Sequence, residues 1–247
     1  MIIGVGIILG TIAAVLAAYF GSRLILGADP EDRTRDLAAS VLFRVAALHG
    51  LVLALVFASE VVEYHSLAFE SASEVNAISD IYYDSERYGD EASDIRDALK
   101  KYLQIVHSEE WRTLGEEGKL SPDAWAQWDA AYSIVLDLVP DSPRQVSLRD
   151  NMVRKIHLIA ENRDLREHHA KTELNSMFWA AALVGVLLIS VGYYSFPPKR
   201  ANLALISVFA AYTGLILFTI YAMSNPFSAP AALQPILFVE LFKELAN

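Results

Sequence analysis

Residues 45–82, VAALHGLVLALVFASEVVEYHSLAFESASEVNAISDIY, decide the fold. They open with a membrane-type apolar run from Leu51 to Ala58 and then turn polar. After Gly50 there is neither Gly nor Pro until Gly89. Helix formers at helical spacing therefore predict one continuous helix leaving a bilayer. At about 1.5 Å per residue it spans roughly 57 Å, well beyond a hydrocarbon core of about 30 Å. Its remainder is expected to stand in water as a stalk. Where it leaves the apolar zone it carries Glu60, Glu63, Glu70 and Glu74. Their spacings place all four on one helical face. That face reads either as solvated charge or as a carboxylate-lined path, since acidic rings in a symmetric oligomer select cations.

Charge is distributed to match. Of 247 residues, 54% are hydrophobic, and the mean hydropathy is +0.31. Residues 60–175 hold 13 Lys and Arg against 24 Asp and Glu; the remainder holds 7 against 6. One acidic block between two apolar blocks is the layout of a multi-span membrane protein with one extramembrane domain. The acidic balance argues against nucleic acid as a partner. Cysteine is absent, which excludes disulfides, thiolate metal sites and cysteine nucleophiles.

The expected organisation is all-α: spans 1 and 2 within residues 1–59, an acidic helical domain over 60–175, spans 3 and 4 within 176–223, and a tail over 224–247. Residues 1–22 carry no charged side chain and read as a span rather than a signal peptide, for want of a basic n-region. Gly6 and Gly10 form a GxxxG pair that would let another helix approach. Asp29-Pro30 suits the start of the second helix, and Arg44 lies close enough to one end of its span to snorkel. A helix over about 91–111 carries the stripe Ile95, Leu99, Leu103 and Ile105 or Val106 before Gly115 and Gly118 break it. Ser121-Pro122 opens a helix with Trp125, Trp128 and Tyr132 on one side, and Ser142-Pro143 opens another. No Pro follows until Pro197, so this last helix is expected to run unbroken for about 50 residues into the third span. The two long helices should pack side by side in opposite directions, with the shorter ones against them. The fourth span covers about 202–223, and residues 231–245 read as a short amphipathic helix lying on the membrane or on a neighbour.

Arg23, Arg33, Arg35 and Arg44 in the first loop and Lys199 and Arg200 in the third put both loops in the cytoplasm and the acidic domain outside. No GxGxxG, Walker loop, nucleophile elbow or HExxH is present, so nothing points to an enzyme or a cofactor. His157, Glu161, Asp164 and His168 share a helix face, but such spacing is common on charged helices and no metal site is assigned. His49 lies in a span, where polar groups face the bundle interior; its other reading is a hydrogen-bonded packing residue.

The run Gly50 to Phe57, the aromatic Tyr64, the string Glu74-Val75-Asn76-Ala77-Ile78 and Asn225-Pro226-Phe227 after the last span together resemble the bestrophin-like family. The resemblance covers nearly the whole chain. It implies a four-span membrane protein and, by analogy with bestrophins, a pentameric ion channel. Bestrophins conduct anions and keep their insert in the cytosol. This sequence departs on two counts: His65-Ser66-Leu67 and acidic residues stand where basic ones follow the family's aromatic, and the loop charges put the insert outside.

The resulting expectation is a homo-oligomeric channel in the bacterial inner membrane, in contact with lipid. Its path is lined by the second span, with His49, Glu60 and Glu63 inside it and Glu70 and Glu74 extending a vestibule. The alternative is a non-conducting scaffold or accessory subunit whose stalk docks a partner protein through Trp111, Trp125, Trp128 and Tyr132.

Overall fold

A computed structural model describes residues 2–27, 31–172 and 174–246. Among them are nine α-helices and no strand: α1 (Ile2–Leu26), α2 (Asp32–Tyr88), α3 (Ser93–Ile105), α4 (Trp111–Glu117), α5 (Pro122–Asp137), α6 (Pro143–Lys171), α7 (Ser176–Gly192), α8 (Arg200–Met223) and α9 (Ile236–Ala246). Four stretches are long and apolar enough to cross a membrane: α1, the apolar part of α2, the run that ends in α7, and α8. The expected helix start at Asp29-Pro30 lies outside the described residues.

The chain divides into two compact units. The first holds Met1–Val62 and Leu174–Ser224. Here α1 packs on α7 and α8 through Val15, Tyr19, Val186, Ile206 and Ala210. The GxxxG expectation is corrected: nothing lies within 4 Å of where a Cβ would stand on Gly6 or Gly10. Gly4, against the Phe218 ring, and Gly214, against the Ile8 backbone, make the close approach between α1 and α8 instead. Tyr19 and Arg23 close this unit by donating to the carbonyls of Tyr194 and Phe196 in the turn before α8.

The second unit holds Glu63–Glu173 and Asn225–Asn247 around one apolar core. The stripe of α3 falls as its spacing requires, with Ile95, Leu99, Leu103 and Val106 buried and Ile105 only partly so. Ser121 and Ser142 cap α5 and α6 by accepting from the Ala124 and Gln145 amides. The polar part of α2 runs antiparallel to α6, since Glu70, Asp80 and Asp84 pair in turn with His169, Lys155 and Asn151.

Two expectations change here. The helix from Pro143 does not run unbroken into the third span: α6 ends at Lys171 and α7 starts at Ser176. No Pro or Gly marks the break; Asn175 makes it by accepting from the Met177 amide as the N-cap of α7. The tail helix is shorter than expected, and its apolar side (Phe238, Leu241, Leu245) fills the core of the second unit.

Candidate functional site

The polar stripe of α2 meets a cationic stripe on α6. Arg163, Arg166 and His169, three residues apart, occupy one face of α6. Glu110, in the π-helical turn Val106–Glu110 that joins α3 to α4, supplies the missing negative charge. Arg163 donates to both Glu110 oxygens, at 3.3 and 2.8 Å, and to the Tyr102 hydroxyl at 3.0 Å. Arg166 donates to Glu110 at 2.7 Å and to Glu74, and Tyr102 donates its hydroxyl proton to Glu74. Glu110 also accepts from the Ser121 amide at 2.7 Å. Arg163 lies over the Trp125 ring at 4.5 Å, and Arg166 over Trp111 and Phe238 at 5.5 and 5.3 Å. Glu74, Glu110 and Arg163 have no exposed surface. Two carboxylates and two guanidiniums thus form a buried cluster of balanced charge, the arrangement in which buried charge is tolerable.

Burial pushes the Glu74 carboxyl up from the usual carboxylate range, opposed by Arg166 and then by the Tyr102 hydroxyl. Burial alone would lower Arg166, but the Glu74 and Glu110 carboxylates outweigh it and hold the guanidinium above its ordinary value. The Tyr102 phenol is raised far above its ordinary 10.0, by burial first and by Glu74 second. A raised phenol stabilises the fold fully below its unfolded value and loses that contribution as pH rises past it. Stability should therefore fall above about pH 10, and Tyr102→Phe should flatten that alkaline limb. Absorbance titration should count the same number of ionised tyrosines in the native wild type and in Tyr102→Phe at that pH.

The path residues expected on α2 do not share one environment. His49 is buried, with its ring against the Gly185 backbone, where a Cβ would lie 2.2 Å from Nδ1. Glu60 is half-buried. Glu63 is exposed and stands 3.2 Å from His169 Nδ1; Glu70, 15% exposed, is 3.0 Å from Nε2 and accepts from Ser66. For Glu74 the vestibule expectation is corrected, because Arg166 and Tyr102 seal it inside the second unit. The tryptophans point inward too. Trp111 donates to the Leu233 carbonyl at 2.6 Å and Trp128 to the Ile156 carbonyl at 2.8 Å. Trp111 is buried, while Trp125, Trp128 and Tyr132 are only half-buried. His157 sits beside Tyr132 at 3.3 Å, and no group of three metal-ligating side chains occurs among the described residues.

Among the exposed residues of α2, which also include Phe43, Leu48, Val52 and Leu55, another edge is free of carboxylates. Arg44, Ala47, Leu51, Ala54, Ala58, Val62, His65, Phe69 and Asn76 recur at steps of three, four or seven, and all are exposed. This edge lies about two-fifths of a turn, roughly 150°, from the glutamates.

A model of the bestrophin-like domain matches residues 9–236. The chain belongs to the bestrophin-like family. No curated protein matches it. Solved structures similar to this bestrophin-like chain are single-substitution variants of a bacterial bestrophin homologue from Klebsiella pneumoniae. One is 11% identical with a TM-score of 0.74, covering 99% of each chain. Another is 15% identical with a TM-score of 0.68, covering 98% of this chain and 97% of that one. A likeness at such identity establishes the fold: an all-helical membrane protein with four candidate spans.

The motif residues divide between core and surface. Glu74 joins the ion cluster, Ala77 and Ile78 are core, and Asn76 is exposed. Asn225 opens a turn by accepting from the Phe227 amide, after α8 has already ended. Pro226 accepts from the Leu233 amide, and Phe227 stacks edge-on against Trp111. The Phe227 carbonyl lies 2.7 Å from where a Cβ would stand on Gly115. Gly115→Ala must push that backbone aside, and about 1–3 kcal/mol of lost stability is expected, read by thermal unfolding of the purified protein.

Proposed function

We propose that the chain forms a homo-oligomeric ion channel whose path follows the uncovered edge of α2. That edge carries the proposal: from Arg44 to Phe69 it recurs at steps of three and four, and it bears Arg44 and His65 but no carboxylate. Glu63, Glu70 and Glu74, which would favour cations, turn toward α6 and face Arg166 and His169. Arg44 makes no ion pair among the described residues, and an arginine at a span is costly unless water or an opposite charge reaches it. Around a symmetry axis it becomes a cationic ring, which favours anions. Ala47, Ala54 and Ala58 leave the path width, and Val62 and Phe69, 66% and 75% exposed, would narrow it. The basic loops around Arg23, Arg33, Lys199 and Arg200 support a reading in which the acidic unit is on the extracytoplasmic side of a bacterial inner membrane. Images of the detergent-solubilised protein should show closed rings with α2 at the axis, and planar bilayers should carry current. Isolated protomers would overturn the proposal.

A further inference from the structure

The second unit contains a cavity of about 270 Å³ between α2 and the start of α9. Its walls are almost wholly apolar: Ala68, Trp111, Pro235, Leu237 and Phe238 contribute most of what matters. Two polar features interrupt them. The first is Ser71, a residue of the cavity wall and 7% exposed, whose buried hydroxyl has no hydrogen-bond partner. A helical serine usually satisfies its hydroxyl on the carbonyl one turn back, as Ser108 and Ser190 do here. The second is the uncapped first turn of α9. The Val239 amide bonds to the Pro235 carbonyl, which makes Pro235 the N-cap residue. Proline has no side chain able to cap, so the Leu237 and Phe238 amides, the two that a cap normally serves, have no acceptor among the described residues. Gln234, the one neighbour long enough to help, donates to its own Ala232 carbonyl.

A buried hydroxyl donor, two free helix-start amides and apolar walls call for one oxygen acceptor on an apolar body. The partial positive charge at a helix N-terminus favours an anion over a neutral carbonyl. We propose that this cavity binds the carboxylate of a medium-chain fatty acid, with the head on Ser71 Oγ and the α9 amides and the chain against Trp111 and Phe238. The bound carboxylate takes the place of the missing N-cap and joins α9 to α2. The site lies within the second unit, so it stands or falls separately from conduction.

Bromine in contact with an indole quenches its fluorescence, and Trp111 is the tryptophan in the cavity wall. The experiment titrates 10-bromodecanoate and 1-bromodecane into the full-length protein in detergent, on a Trp179→Phe background that removes the only tryptophan in a span. The acid should quench saturably, and the hydrocarbon only in proportion to its concentration in the micelle. Ser71→Ala should weaken the acid roughly ten- to a hundredfold, the worth of one hydrogen bond to a charged group. Ala68→Phe should fill the cavity and remove the saturable component, with unchanged thermal unfolding showing that the variant is folded. Quenching by the acid that never saturates, or saturable quenching that Ser71→Ala leaves unmoved, would overturn the proposal.

Discussion

Replacing Glu110 by Gln should strip the second unit of most of its stability. Glu110 is the hub of the buried cluster: it accepts from Arg163 twice, from Arg166 and from the Ser121 amide. The amide can still accept once or twice, but its NH₂ would face two guanidiniums and leave a net positive charge in a buried core. Breaking a buried ion pair by removing one partner costs about 3–5 kcal/mol. The whole margin of a domain is only about 5–15 kcal/mol. Glu74→Gln should cost less, about 1–3 kcal/mol, because Arg166 keeps Glu110 and the amide oxygen can still accept from Tyr102. The double variant Glu110→Leu with Arg163→Leu removes one charge of each sign and leaves the Glu74–Arg166 pair, so it should recover a large part of the loss. Thermal unfolding followed by tryptophan fluorescence reads this directly, since three of the four tryptophans lie in the second unit. A Glu110→Gln protein as stable as the wild type would mean that water reaches the cluster.

The second large effect is expected on selectivity. If Arg44 rings the conducting path, its charge acts on an ion about 5 Å away through an effective dielectric between 20 and 80. That interaction is about 1–3 kcal/mol, or roughly five- to a hundredfold in permeability ratio. In bilayers under a tenfold KCl gradient, the wild type should reverse on the anion side. Arg44→Glu should carry the reversal potential through zero to the cation side, and Arg44→Lys should leave it in place. An unmoved reversal potential in Arg44→Glu, with current intact, would take Arg44 off the path. Glu63→Gln provides the contrast: that carboxylate faces His169 rather than the uncovered edge, so little shift is expected.

The helices were largely legible from the sequence because their signals are local. Apolar runs gave the spans, the absence of Gly and Pro between Gly50 and Gly89 gave the length of α2, and Ser-Pro pairs gave the starts of α5 and α6. The break between α6 and α7 was not, because it rests on one asparagine cap rather than on a helix breaker. The glutamate edge was read correctly as an edge and incompletely as chemistry. Helical spacing says which residues share a face and not what that face meets. A signal was available: Arg163, Arg166 and His169 repeat at three on α6 and complement Glu63, Glu70 and Glu74 once the two helices are set antiparallel. Glu110 had no such signal, since its position depends on the π turn that swings it toward Arg163. The tail was misplaced for a related reason. An apolar stripe asks for a partner without naming it, and the core under Trp111 answers as well as a lipid surface would.

The core of the second unit is sewn from two lengths of polypeptide far apart in the chain, Glu63–Glu173 and Asn225–Asn247. Phe227, Phe238, Leu241 and Leu245 reach the ribosome's exit only at the end of synthesis, after α7 and α8 have been made. Until then Trp111 and Leu103 have no lid, and the acidic block emerges as a half-finished globule. Completion of this unit thus requires that α7 and α8 have been made, and a protein truncated before Asn225 should be degraded by the cell's proteases as unfinished.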